Sequence, residues 1–231
     1  INSIVSYYSK GSLAALCLDL HLRKKTDGQT SLDTVMRALW NTYGKKNTGV
    51  PENGIETLTE FVSGLDLRDF FDHIIRSTRE LPIKLLLKSV GVHLTFTASS
   101  GLFDSGDAGN SLLDKNQQAI KHDLGFTHSN TADGLRIKQV FDNRAARCAG
   151  IAPGDVVMAI NRQKPLSNNI QRIIDLEKKN TVIPIHVFRD DVLHTLQFPI
   201  LPAPKNIAYL YLAPSKNILI HSWLHQKNNA D

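Results

Sequence analysis

The chain has 231 residues, 42% apolar and 21% charged, with 27 basic and 22 acidic side chains and a net charge of +5. That balance suits a globular protein with one or two cores, and the length favours two domains. The basic residues form no dense run and no aromatics interleave them, which argues against nucleic-acid binding; no apolar stretch approaches the roughly 18 residues that span a bilayer, and no leader pattern opens the chain.

Helical periodicity governs the first third. Leu13, Leu16, Cys17 and Leu20 follow the i, i+3, i+4, i+7 spacing of one helical face, in a helix ending at Asp27-Gly28 with Arg23, Lys24 and Lys25 in its last turn. Ser31 is placed to cap SLDTVMRALWNTYG, which Gly44 can stop. Residues 55–63 read as a short helix, Asp66 caps LRDFFDHIIRST, and Pro82 opens IKLLLKSVG, closed by Gly91. The expectation is an all-helical unit over 1–94, then a Ser-, Gly- and Asp-rich linker over 95–117.

Beyond the linker the period changes to two. LGFTHS, LRIKQVF, VVMAI, VIPIHVF and VLHTLQF read as strands, with one main helix capped by Ser167 and carrying Ile170, Ile173 and Ile174. That order describes a small, partly open barrel over 118–204. The tail, 205–231, holds one more apolar run and ends in polar residues. Cys17 and Cys148 lie far apart without metal-ligand spacing and are expected as reduced, buried thiols.

Several stretches of the second half together resemble a PDZ domain: the Leu124-Gly125-Phe126 loop, the Gly150-Ile151 to Pro153-Gly154-Asp155 turn, and VVMAIN. The resemblance implies a groove in which loop amides around Gly125 hold a peptide carboxylate while the peptide pairs with the next strand. Leu124, Phe126, Ile170 and Ile174 would line its side-chain pocket. The sequence departs from the pattern at Asp123, which stands where a glycine is usual and is expected to repel a terminal carboxylate. Asn168 and Asn169 open the helix, so the histidine that selects Ser or Thr in some PDZ domains is missing. A module that packs only against its own chain is the alternative.

The helical half has its own likeness. Tyr8-Ser9-Lys10-Gly11, SLAALCLDLHLRKKTDG, SLDTVMRALW, FVSGLDLRDFFDHII and LPIKLLLKSVGVHL, in this order and ahead of a PDZ-like module, resemble the glycyl aminopeptidase family. These are gluzincin zinc metallopeptidases similar in their catalytic core to aminopeptidase N. The resemblance covers the chain to about Pro204 and implies a multidomain α and α+β protein: the helical lobe of a thermolysin-like peptidase followed by a PDZ-like barrel.

In that family an HExxH helix and a later glutamate hold zinc, and the motif's own glutamate is the general base. No HExxH occurs in these residues. The chain opens on Ile1 with a helix about to begin, so it reads as the C-terminal portion of a longer protein whose upstream segment binds zinc. The family's Y-x-K-G tyrosine, here Tyr8, would donate a hydrogen bond to the oxyanion formed as water attacks the peptide carbonyl, a contribution of about 3 kcal/mol. Tyr7 is out of register and reads as a packing residue. The bland reading of Tyr8 is an aromatic staple at the helix entrance. His221-Ser222-Trp223-Leu224-His225 has two histidines at zinc-helix spacing, but a serine stands where a base would be and no acidic ligand follows. The rival to a peptidase is a non-enzymatic scaffold that uses the PDZ-like groove.

Overall fold

The computed structural model describes residues 6–100, 104, 106–108, 119–212 and 218–224. The chain divides into two compact units, one of 3–94 with 210–231 and one of 1–2 with 95–209. Helices dominate the first and an antiparallel sheet the second. No described helix is long and apolar enough to cross a membrane.

Helix α1 (Tyr7–Lys25) starts earlier than its apolar stripe suggests. The Ser6 hydroxyl accepts the Ser9 amide at 3.3 Å, capping a first turn that contains both tyrosines and is followed by Gly11 within the helix. Further along, α1 is buried on two faces. Ala14, Leu18 and Leu22 join Val35, Leu67, Phe71 and Ile74, whereas Cys17 and Leu20 join Leu86, Leu87, Val90, Val92 and Leu94. The single stripe expected through Leu13 is therefore too narrow, and Leu13 itself is exposed.

The remaining helices follow their local signals. They are α2 (Leu32–Thr42), a 3-10 turn (Gly44–Lys46), α3 (Gly54–Ser63), α4 (Arg68–Ile74) and α5 (Ile83–Ser89). Ser31 caps α2, its amide donating to Thr34 Oγ1 at 3.4 Å. Asp66 Oδ1 accepts the Arg68 amide at 3.1 Å at the head of α4. Gly64 and Gly91 carry the positive φ of chain reversals after α3 and α5. VHLTFT is strand β1 (Val92–Thr97), which runs across the expected boundary between 94 and 95. Its neighbour in a three-stranded sheet is β8 (Ile207–Leu212), whose other neighbour is β2 (Asp107–Ala108). The apolar run of the tail is thus strand β8, and α8 (Ile218–Leu224) follows it.

All five strands expected in the second half are present: β3 (Phe126–Asn130), β4 (Leu135–Val140), β5 (Val156–Ile160), β6 (Val182–Arg189) and β7 (Val192–Pro199). They form one sheet in the order β3-β4-β5-β6-β7, with antiparallel neighbours throughout. The β6–β7 hairpin turns through Asp190 and Asp191, both at positive φ, as a two-residue turn requires. Leu135, Ile137, Val157, Ile160, Ile185, Val187 and Phe198 pack in its core with Ile173 of α7 (Ile170–Asp175). Asn169, not Ser167, stands at the head of α7, and its Oδ1 accepts the Leu166 amide at 2.7 Å. The Gly150–Asp155 turn follows α6 (Ala145–Cys148) and is pinned to β6 by Arg189, which donates to Asp155 Oδ1 at 2.8 Å and to Gly150 O at 2.8 Å. Cys17 is buried as expected, but Cys148 is exposed, because α6 turns Ala145 and Ala146 to the core instead.

One polar cluster inside the helical unit joins two of its helices. Asp19 accepts Arg23 Nε at 2.9 Å and the Leu32 amide at 2.8 Å, and both charged residues are buried. Asp19→Ala would remove the buried carboxylate that accepts Arg23 Nε and leave the first amide of α2 without this acceptor. It is expected to cost about 3–5 kcal/mol of unfolding free energy in urea titration followed by circular dichroism.

Candidate functional site

Two places carry the residues singled out by sequence. The first is the head of α1. Tyr8 is 75% exposed and Tyr7 74%, and their rings lie 4.2 Å apart at 33°. A hydrogen bond with the Tyr8 phenol holds the Tyr7 hydroxyl above its usual pKa range. Neither ring is buried among the described residues. Tyr8 presents its phenol to solvent from the first turn of a helix whose other end is anchored on two sides.

No group of three or more His, Cys, Asp or Glu side chains among the described residues has the arrangement of a metal site. The zinc implied by the family resemblance therefore does not fit the described residues of this chain. The side chain of His221 and the whole of His225 lie outside the described residues.

The second place is a groove of about 580 Å³ in the sheet unit, between β3 and α7. Leu124, Gly125, Phe126 and Ile170 line it, together with His128, Phe141, Arg144 and Gln171, and with Asp104 and Ile207 from flanking segments. Ile174, expected beside Ile170, is fully buried in the core and does not line the groove. Among the described residues β3 is an edge strand paired only with β4, and no described strand covers its other edge.

The wall of the groove is tightly tied. Asp175 Oδ1 accepts the Lys121 and His122 amides at 3.1 and 2.9 Å, and Gln171 Nε2 donates to His122 O at 2.9 Å. On the other side of this segment Asp123 N–H donates to Leu201 O at 2.9 Å and Ala203 N–H to Lys121 O at 3.0 Å. The approach to the Gly125 loop is thus clamped between α7 and residues 201–203. Gly125 itself has φ +71°, and a Cβ there would stand 2.8 Å from the Ala146 nitrogen, so only glycine fits.

Asp123 does not project its charge into the groove. It is 2% exposed and forms a two-pronged ion pair with Arg144, whose Nε donates to Oδ2 at 2.7 Å. Oδ2 also accepts the Ala145 amide at 3.2 Å, and Oδ1 accepts the Gly125 amide at 3.0 Å. The open repulsion expected from the sequence is therefore replaced by an internal salt bridge that also consumes the glycine amide of the loop. Arg144 lies over the Phe141 ring, 5.6 Å from its centroid, which orients the guanidinium further.

Sequence reading passed over Arg144, His128 and Asp104. Arg144 pairs with a residue 21 positions away, beyond the reach of any local pattern. His128 Nε2 is buried without a hydrogen-bond partner among the described residues, and burial lowers the imidazole pKa. Asp104 accepts the Ser100 and Gly106 amides at 2.7 and 3.1 Å and the Tyr209 hydroxyl at 2.9 Å, and these bonds, led by that from Ser100, hold its carboxyl below the usual range.

The depressed His128 pKa has a signed consequence. Between the folded value and about 6.5 the unfolded chain binds more protons, so stability is fullest above about 6.5 and falls as pH drops through that window. NMR titration of the His128 Cε1–H resonance is expected to give a midpoint below about 6.5.

No family model matches the chain, and no curated protein matches it by sequence. Among solved structures it is similar to an aminopeptidase N family protein from Idiomarina loihiensis, with 28% identity and a TM-score of 0.83 over 96% of this chain and 37% of that one. A serine endoprotease from Yersinia pestis matches 41% of this chain and 34% of its own at 21% identity, and the HtrA-type protease AlgW with a decapeptide matches 41% and 33%, also at 21%. Their TM-scores, 0.33 and 0.32, are too low to carry an argument. The described residues form a mixed α and β structure, and nearly the whole chain follows the Idiomarina protein, a likeness that supports the aminopeptidase N family for this chain.

Proposed function

We propose that the chain is the C-terminal portion of a zinc-dependent aminopeptidase of the glycyl aminopeptidase type, with a PDZ-like peptide-binding module after its helical lobe. The observation that carries the reading is the likeness to an aminopeptidase N family protein, which extends over 96% of this chain. The chain spans 37% of that protein's length, and on this reading the zinc, its ligands and the general base come from chain preceding Ile1. That upstream segment and the peptide substrate are the partners of these residues.

Tyr8 is the residue of this chain that acts on the substrate. Its phenol, exposed at the head of α1, donates to the oxygen of the scissile carbonyl as that oxygen becomes an oxyanion. Because the charge develops only in the transition state, the bond affects kcat more than substrate affinity. The edge of β3 that no described strand covers and the groove beside α7 support the peptide-binding module.

The test uses the longer protein that includes the upstream segment. Hydrolysis of a glycyl anilide is expected to stop with a chelator and return with zinc. Tyr8→Phe is expected to lower kcat about 100-fold with KM nearly unchanged. An unaltered kcat would remove Tyr8 from the mechanism, and no hydrolysis under any metal condition would favour a non-enzymatic scaffold.

A further inference from the structure

We infer that the groove between β3 and α7 takes an extended internal peptide segment bearing hydrogen-bond donors, and rejects a free C-terminal carboxylate. The inference rests on the reading of this groove as a peptide site and specifies its ligand.

A bound carboxylate needs amide donors or a free cation. In this loop the Gly125 amide already serves Asp123 Oδ1. Arg144 is the one Lys or Arg among the described lining residues, and both prongs of its guanidinium are engaged by Asp123. The Asp123–Arg144 pair is neutral overall, and the remaining charge on the lining is that of Asp104. A terminal carboxylate entering here would be desolvated beside a net negative wall without a free counter-ion, which is strongly unfavourable.

The one polar side-chain atom of the lining that is buried without a partner among the described residues, His128 Nε2, asks for the opposite chemistry. Ser167 Oγ donates its proton to Asn130 Oδ1 at 2.6 Å, leaving its lone pairs for His128 Nδ1–H, 3.5 Å away. With the proton on Nδ1, the unpartnered Nε2 is a lone-pair acceptor. Asp104 contributes negative charge to the lining, its oxygens already accepting the Ser100 and Gly106 amides and the Tyr209 hydroxyl. A ligand must therefore bring a hydroxyl, amide or ammonium donor to His128 Nε2 while its backbone pairs along the edge of β3 that no described strand covers. Asp123 is the residue that sets this preference, since it occupies the Gly125 amide and the Arg144 guanidinium.

Paired arrays of the same randomised octapeptides, one ending in a free carboxylate and one in an amide, probed with the 231-residue chain, test the inference. Amide-ended binders rich in Ser, Thr, Gln or Lys, weakened about tenfold or more when presented as the free acid, are the expected result. Asp123→Asn keeps an acceptor for the Gly125 amide but releases the charge of Arg144, and is expected to move the preference about tenfold toward the free acid. Binders that hold the free acid as tightly as the amide, or more tightly, would overturn the inference and leave the groove a peptide site. Absence of binders from both arrays would overturn the peptide-site reading itself.

Discussion

Helix α1 has to be buried on two sides at once, and the arrangement of the helical unit follows from that requirement. Its Ala14–Leu18–Leu22 face meets α2 and α4, and its Cys17–Leu20 face meets α5 and β1. Lys24 and Lys25 of its last turn stay exposed, but Asp19 and Arg23 lie among the buried positions. They are accommodated because each pairs with the other, and Asp19 also takes the Leu32 amide at the start of α2. The polar first turn is the part of the helix left outside, so the burial of one end fixes where the two tyrosines emerge.

The sheet unit repeats the principle with a different charge. Asp123 is buried beside the Gly125 loop, where an unpaired carboxylate would be costly, and Arg144, Ala145 N–H and Gly125 N–H together neutralise and satisfy it. The arrangement closes the loop from within. Asp123 thus acts as a structural clasp between the loop and the head of α6.

Much of the fold was legible because periodicity and punctuation agreed. Ser31 and Gly91 stand where a cap and a stop belong, Asp66 accepts an amide at the head of α4, and β4 and β6 largely alternate as half-buried strands do. β1 escaped because it directly follows a helix and its neighbour β8 lies far along the chain. The two-sided burial of α1 escaped because a single stripe was sought in a helix that has two. Of the site, Leu124, Gly125, Phe126 and Ile170 line one groove, whereas Ile174, one turn further along α7, is buried in the core without lining it. Arg144 and His128 were invisible, since their significance lies in long-range pairing for one and in the lack of a partner for the other.

The reading of the helical unit turns on whether Tyr8 meets the oxyanion of a peptidase whose remaining machinery lies outside these residues. A crystal structure of the longer protein with a phosphonate peptide analogue, whose tetrahedral oxygen mimics that oxyanion, measures this directly. Zinc in the upstream segment and the Tyr8 hydroxyl about 3 Å from an analogue oxygen are the expected result. A Tyr8 hydroxyl facing solvent, away from the analogue, would contradict it.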